Sequence, residues 1–413
     1  MTAKQNGICF LLVVFMGTLA IGEDVSLGLY AKADKDTQKK IMDIEHLIAA
    51  RKYMTAFDSL KKADPKDDNP FLLAKKVEIC INYFTKSIMH QIFCLKDLEP
   101  NESLEQLREG VGSFGAITFD PEKRVSAYIK KKGKSGILFK ILGDYYYDIT
   151  FRYGGQWLIS EDELDKRIFE NYLNAEKMGF FDVESLANLG EIFLKKGNFP
   201  EGTRYIKQAI KLGGNKPGYH YNLGAGLFYL QQYDEAEKEI ELAIQMYEQG
   251  PYKMDAYYLA SRIAEVKNDA KQAIRLLETA LAETREDYRP ILHLHRLYLQ
   301  TQRYQDAVNM GDLLFSKYST NPNAIKMIVD NFFIHGEMQR LMDFFDRNIE
   351  KYASNNEVLG NLKFHKALIL EEKEEKEKAF KALNEAERHF RKVFSSDHQV
   401  FKNINDIKQR LKK

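Results

Sequence analysis

The sequence is poor in residues that interrupt regular structure: its 413 residues hold 9 Pro and 25 Gly, few for so long a chain, so helices are favoured. Three Cys leave room for one bridge and for no clustered ligand set. Charge of one sign is also missing. Lys and Arg number 61 against 60 Asp and Glu, a formal net charge of +1. No strongly basic face is there to displace counterions from phosphates, and a nucleic-acid partner is not expected. Past residue 22 no uncharged run approaches the roughly 20 residues needed to span a bilayer. What is present, 44% hydrophobic and 29% charged residues, is ordinary for a folded protein.

The N-terminus carries a processing signal. Lys4 precedes an apolar run from Ile8 to Ile21, and Ala20-Ile21-Gly22 sets small residues where a signal peptidase reads them before Glu23. Residues 1–22 are predicted to be a cleaved secretory signal; an uncleaved anchor is the alternative. Cys9 lies inside the apolar run, which gives a lipoprotein anchor no support. The mature chain is therefore expected outside the cytoplasm, periplasmic or secreted, under oxidising conditions. Cys80 and Cys94 would remain.

Internal periodicity organises the rest. With Val183 as first position, Leu189-Gly190 fall at seven and eight, Phe193 at eleven, and Gly202, Ile206 and Ala209 at twenty, twenty-four and twenty-seven. A shift of roughly 34 residues to Pro217 returns Leu223-Gly224, Leu227, Ala236, Ile240 and Ala243. Further units begin at Met254, Tyr288, Pro322 and Gly360, and weaker ones at Thr37, Phe71 and Gly136, the last with an insertion through Gly154-Gly155-Gln156-Trp157. The chain resembles the tetratricopeptide repeat family from about Thr37 to Val393. The resemblance implies an all-α, right-handed superhelical solenoid of antiparallel helix pairs, with small residues at positions eight and twenty where helices approach closely.

The expected organisation is a signal (1–22), degenerate helix pairs (37–104), an irregular insert (105–135), the main array (136–393) and a C-terminal capping helix (394–413). In that last segment Val400, Ile404, Ile407 and Leu411 recur at helical spacing. In the insert, Ser103 and Asp120-Pro121 are helix-start signals, so a degenerate helical unit is favoured; a hairpin of Ala116–Phe119 with Val125–Ile129 is the alternative.

No motif implies a catalyst, a metal or a cofactor. Gly110-Val111-Gly112-Ser113-Phe114-Gly115 matches a dinucleotide glycine pattern but follows a helical segment, not a strand. His293 and His295, two apart, point to different faces of a helix, and His295 at position eight reads as core. Glu371-Glu372 and Glu374-Glu375 alternate with lysines at a solvated turn. On the repeat grid Cys80 and Cys94 fall on the two helices of one unit, which allows a disulfide; two buried thiols are the alternative.

The family resemblance also implies a groove lined by first-helix positions two, five, nine, twelve and thirteen. Here these include Glu191, Lys195, Tyr221, Phe228, Tyr229, Tyr258, Arg262, Arg296, Asn323, Lys326, Asp330 and Phe333, aromatic residues beside arginines as at interface anchors. Chaperone-binding members clamp a carboxylate with Lys and Asn at positions five and nine and Asn at position six of the next unit. This chain has Ala187, Glu191 and Asn222 there, and only Asn222 agrees. The expected function is an exported scaffold or adaptor that binds a protein or peptide, and is no enzyme. The alternative is a binder of a sugar or hydrophobic molecule, shaped by Gly154–Trp157 with Tyr145, Tyr146 and Tyr147.

Overall fold

The computed structural model describes residues 27–110, 115–283 and 288–412. The predicted signal with Cys9, and the stretch 111–114 of the glycine motif, lie outside them. The chain forms two compact units that meet in sequence between Glu239 and Ile240.

In the first unit, a 3₁₀ turn (Gly28–Lys32) leads into α1 (Lys35–Ala49), α2 (Tyr53–Ala63) and α3 (Pro70–Asn82). Strands β1 (Lys86–Ile88) and β2 (Ile92–Cys94), α4 (Leu104–Glu109), β3 (Ala116–Thr118) and α5 (Pro121–Lys132) follow. Then come α6 (Gly136–Tyr153), α7 (Glu161–Lys177), α8 (Val183–Lys195), α9 (Phe199–Lys211) and α10 (Pro217–Tyr229). The boundary falls within α11 (Tyr233–Met246). The second unit holds α12 (Pro251–Val266), α13 (Ala270–Glu283), α14 (Tyr288–Gln300), α15 (Tyr304–Lys317) and α16 (Pro322–Ile334). It ends with α17 (Met338–Lys351), α18 (Asn356–Glu372), α19 (Lys376–Phe390) and α20 (Gln399–Leu411). No helix among the described residues is long and apolar enough to cross a membrane.

The helices pack in consecutive pairs, and local chemistry explains where they start and stop. Pro opens α3, α10, α12 and α16, where its missing N–H costs nothing. Asp182 caps α8 in a reciprocal box with Ser185. Each regular pair turns on a residue in the left-handed region at position fifteen of its unit: Arg51, Gly197, Gln231, Asn268, Gln302, Gly336 and Glu374. At every one the same two hydrogen bonds close the first helix, as where Gln231 N donates to Phe228 O (3.0 Å) and Gln232 N to Leu227 O (2.9 Å). The pairs then close on small residues: a Cβ on Gly190 of α8 would sit 2.9 Å from the Gly202 carbonyl of α9. In the second unit a Cβ on Gly360 would sit 2.6 Å from the Phe390 ring, and α20 packs Phe401, Ile404, Ile407 and Leu411 onto the last pair.

The unit expected from Phe71 has no second helix. Its place is taken by β1 and β2, antiparallel with Lys86 opposite Cys94, and β3 adds antiparallel to β2 with Ile92 opposite Thr118. Ala116–Thr118 is thus a strand, but it pairs with β2; the segment Val125–Ile129 belongs to α5, which Asp120 caps. Cys94 lies on a strand and Cys80 in a helix, and both are free thiols, Cys80 fully buried. No bridge joins them in this structure, and Cys94 is only partly buried. The β1–β2 turn uses two consecutive left-handed residues, Met89 (φ 48°) and His90 (φ 45°), without the Gly or Asn such a turn normally recruits. Buried contacts hold it. His90 is fully buried, with Nε2 2.6 Å from Asp148 Oδ2 and Nδ1 3.1 Å from Ser87 Oγ, and Tyr145 donates to its carbonyl.

Two outcomes test this packing. Gly190→Val is expected to cost about 2 kcal/mol by overpacking α8 on α9, read as a lower urea midpoint; an unchanged midpoint would contradict the close approach. Asp148→Ala strands the buried imidazole and is expected to cost about 1–3 kcal/mol, with faster amide exchange in β1 and β2. Exchange in those strands that stays at the wild-type rate would remove Asp148 as the brace.

Candidate functional site

Polar and charged side chains concentrate on the first-helix side of the first unit. There α6, α8 and α10 wall a cavity of about 290 Å3 with help from α3 and α7. At its base Lys140 of α6 lies 2.8 Å from Asp144 and 2.5 Å from Asp182, the capping residue of α8. Tyr172 of α7 donates to the other oxygen of Asp144 (3.0 Å), and Asn188 of α8 reaches the Tyr172 hydroxyl (3.4 Å). Glu191, Glu184, Tyr147, Tyr219, Lys216 and Asn222 surround the opening. Burial, with Asp182 beside it, pushes the Asp144 carboxyl up to about 6 against the pull of Lys140. Asp182 is held below its usual range, because Lys140 and the Ser185 hydrogen bonds outweigh its burial.

A second cavity, about 330 Å3, shares Asn82, Lys140, Asp144 and Asp182 with the first. It repeats the same device: Lys75, almost wholly buried in α3, is shared by Glu45 and Glu78, and Tyr30 donates to Glu78 (2.6 Å). The 3₁₀ turn that carries Tyr30 walls this cavity with Leu27, Gly28 and Leu29.

The twelve positions implied by the groove pattern divide. In the first unit Glu191 and Lys195 pair at 2.8 Å, Tyr221 and Phe228 are buried, and Tyr229 is exposed but stacked on Phe199 at 4.4 Å. Of these only Glu191 lines the 290 Å3 cavity. In the second unit Tyr258 packs against His293 at 5.3 Å, Arg262 is half-buried, and Arg296 pairs with Glu265, which His293 also contacts. Asn323, Lys326, Asp330 and Phe333 share one open stripe of α16 with Met327 and Ile334, Lys326 and Asp330 forming an ion pair. His295 is core: fully buried, edge-on to Phe332 at 4.8 Å, and held down to about 3 by burial and then by His335.

Ala187, Glu191 and Asn222, the clamp positions, do converge on the 290 Å3 cavity. With a carboxylate in the place of an amide, they cannot welcome a second one. The tyrosines proposed to shape a pocket with Gly154–Trp157 diverge. Tyr145 is buried, Tyr146 lies under Arg167 (5.5 Å), Tyr147 lines the cavity, and Trp157 packs on Tyr153 at 5.1 Å.

Ser87, His90 and Asp148 were not singled out from sequence, since nothing in a helical grid places them together. They are the residue types of a nucleophilic triad, but Tyr153 also holds Ser87 Oγ (2.9 Å), Arg152 also holds Asp148 (2.8 Å), and Ser87 lines neither cavity described above. This chain of bonds braces the strained turn.

No family model matches the sequence, and no curated protein matches it. Solved structures do. A tetratricopeptide repeat protein from Parabacteroides merdae is 15% identical over 67% of this chain and 99% of that one, at a TM-score of 0.41. The C-terminal part of a repeat protein from Cytophaga hutchinsonii is 15% identical over 70% and 98%, also at 0.41. YrrB, described as a tetratricopeptide repeat protein with an unusual peptide-binding site, is 13% identical over 46% and 95%, at 0.35. At these scores the likenesses have no bearing on what this chain binds.

The raised Asp144 pKa has a signed consequence. A carboxyl whose folded value lies above its unfolded value favours folding most below about pH 4 and loses that contribution as pH rises to about 6. Asp144→Asn should therefore gain on the wild type by about 1–3 kcal/mol between pH 4 and pH 7, measured by urea unfolding at both. A stability difference that stays constant with pH would mean that Asp144 titrates normally.

Proposed function

We propose that this chain is an exported scaffold or adaptor that binds a protein or peptide along the first-helix faces of its repeats. The observation that carries the reading is α16. It leaves Met327, Phe333 and Ile334 exposed on one helix whose opposite face, Ile325, Ile328 and Phe332, is fully buried. Apolar side chains exposed together, with an ion pair beside them, suit a surface that another chain covers. In the first unit, the polar cavity at α6, α8 and α10 is a separate feature suited to binding. Export rests on Lys4, the Ile8–Ile21 run and Ala20-Ile21-Gly22 alone. The reading calls for no chemistry at the bound chain.

Selection of a random peptide library on the purified protein tests this. Enriched sequences are expected, and Phe333→Ala or Tyr229→Ala should weaken binding of at least one enriched family about tenfold, a loss of about 1.4 kcal/mol. The reading fails if nothing is enriched over the urea-unfolded chain, or if both substitutions leave every affinity unchanged.

A further inference from the structure

The 290 Å3 cavity of the first unit is not neutral. Five carboxylates line it (Asp144, Asp148, Asp182, Glu184 and Glu191) against the ammonium groups of Lys140 and Lys216. Some of this charge is matched nearby: Glu184 by Lys216 (3.1 Å), Glu191 by Lys195 (2.8 Å), and Asp148 by Arg152 (2.8 Å). The remainder is not. Asp144 and Asp182 have the single ammonium of Lys140 between them, so one negative charge is left over at the base of the cavity.

A second observation is independent of that charge. Asn222 is 8% exposed and lines the cavity, yet its side-chain amide forms no hydrogen bond with any described residue. That amide is open to the cavity, so an occupant can hydrogen-bond to it without displacing a protein partner. The Tyr147 hydroxyl, on the opposite wall, is likewise without a partner among the described residues, and Glu191 raises its pKa further after burial has done most of the work. Aromatic faces complete the wall. Lys216 already lies 5.6 Å from the Tyr219 ring centre, showing that an ammonium is accommodated over a ring here.

We infer that this cavity binds a primary ammonium or guanidinium group, carried on a lysine or arginine side chain of the partner peptide. An anion would add to the uncompensated charge between Asp144 and Asp182. A sugar would satisfy Asn222 but leave that charge. Among the described residues no group of three His, Cys, Asp or Glu is placed to hold a metal ion, which leaves an organic cation. The size agrees: about 290 Å3 is at the lower end of ligand cavities and fits a side chain better than a whole small-molecule ligand. A cation there has an acceptor in the Asn222 carbonyl oxygen and a counter-charge in Asp144 and Asp182. The inference rests on the peptide-binding reading for the source of the cation, and on the cavity alone for its chemistry.

Isothermal titration of the full chain at pH 7.5 tests it with four probes: a capped hexapeptide of alternating lysine and glycine, its arginine and glutamate counterparts, and free n-butylamine. The lysine or arginine peptide is expected to bind and the glutamate peptide not. Asn222→Leu, which fills the cavity and removes an amide that no described residue uses, should weaken binding at least tenfold. Tyr147→Phe, which removes one hydroxyl, provides a milder second variant with a loss of a few-fold. The inference is overturned if neither basic peptide binds at millimolar concentration, if the glutamate peptide binds as well, or if both variants bind like the wild type. Binding of n-butylamine as tight as that of the peptide would overturn the assignment to a peptide side chain. If the library selection succeeds while this titration fails, the cavity chemistry is wrong and the peptide-binding reading stands; the reverse outcome removes that reading and leaves the cavity.

Discussion

One backbone constraint underlies the regular part of this protein: a single residue in the left-handed region at position fifteen of each regular unit, followed by two hydrogen bonds that end the first helix. It reverses the chain in so few residues that the second helix must lie against the first. Close approach then decides the packing, because at Gly190 and Gly202 there is no room for a side chain between backbones. The left-handed residue is Gly197 or Gly336 in some units but Arg51, Gln231, Gln302 or Glu374 in others. The conformation is held by the pair's packing and its capping bonds, at a local cost of roughly 1 kcal/mol where the residue carries a Cβ.

The first unit departs from this rule where the turn cannot form in the same way. After α3 the chain enters a short sheet, and the β1–β2 turn is imposed by tertiary contacts on residues that would not choose it. Met89 and His90 pay for two left-handed conformations through a buried imidazole bonded to Asp148 and Ser87. Helix α3 itself is enclosed by α6, α2, α1 and α5, and it buries Lys75 and Lys76 along with its apolar residues. Both lysines find acids: Lys75 has Glu45 and Glu78, and Lys76 has Asp67 at 2.6 Å.

Sharing one ammonium between two carboxylates connects this packing to the binding site. Two acids on one lysine hold two segments together, as Lys140 does for α6 and the cap of α8, but they leave a negative remainder in a partly dehydrated place. There the field is weakly screened, so the remainder selects the charge of whatever enters. The second unit offers a different surface, the half-apolar stripe of α16, with its charges already matched by Lys326 and Asp330.

Helix pairs, their period, and most starts and stops were legible from residue order, because capping, proline placement and small-residue spacing are local and repeat. Pro217, Pro322 and Val183 open helices where the periodicity sets their unit starts. The strands at 86–94 were not legible: their turn has no Asn-Gly signal, and its support comes from Asp148, far along the chain. Nor was the cavity. A lysine at 140 and aspartates at 144 and 182 look like solvated helix charges until packing brings α6 against the start of α8 and strips their water. Sequence alone determined the repeating scaffold, since that depends on near neighbours; tertiary structure decided which polar side chains meet out of water, since that depends on residues distant in the chain.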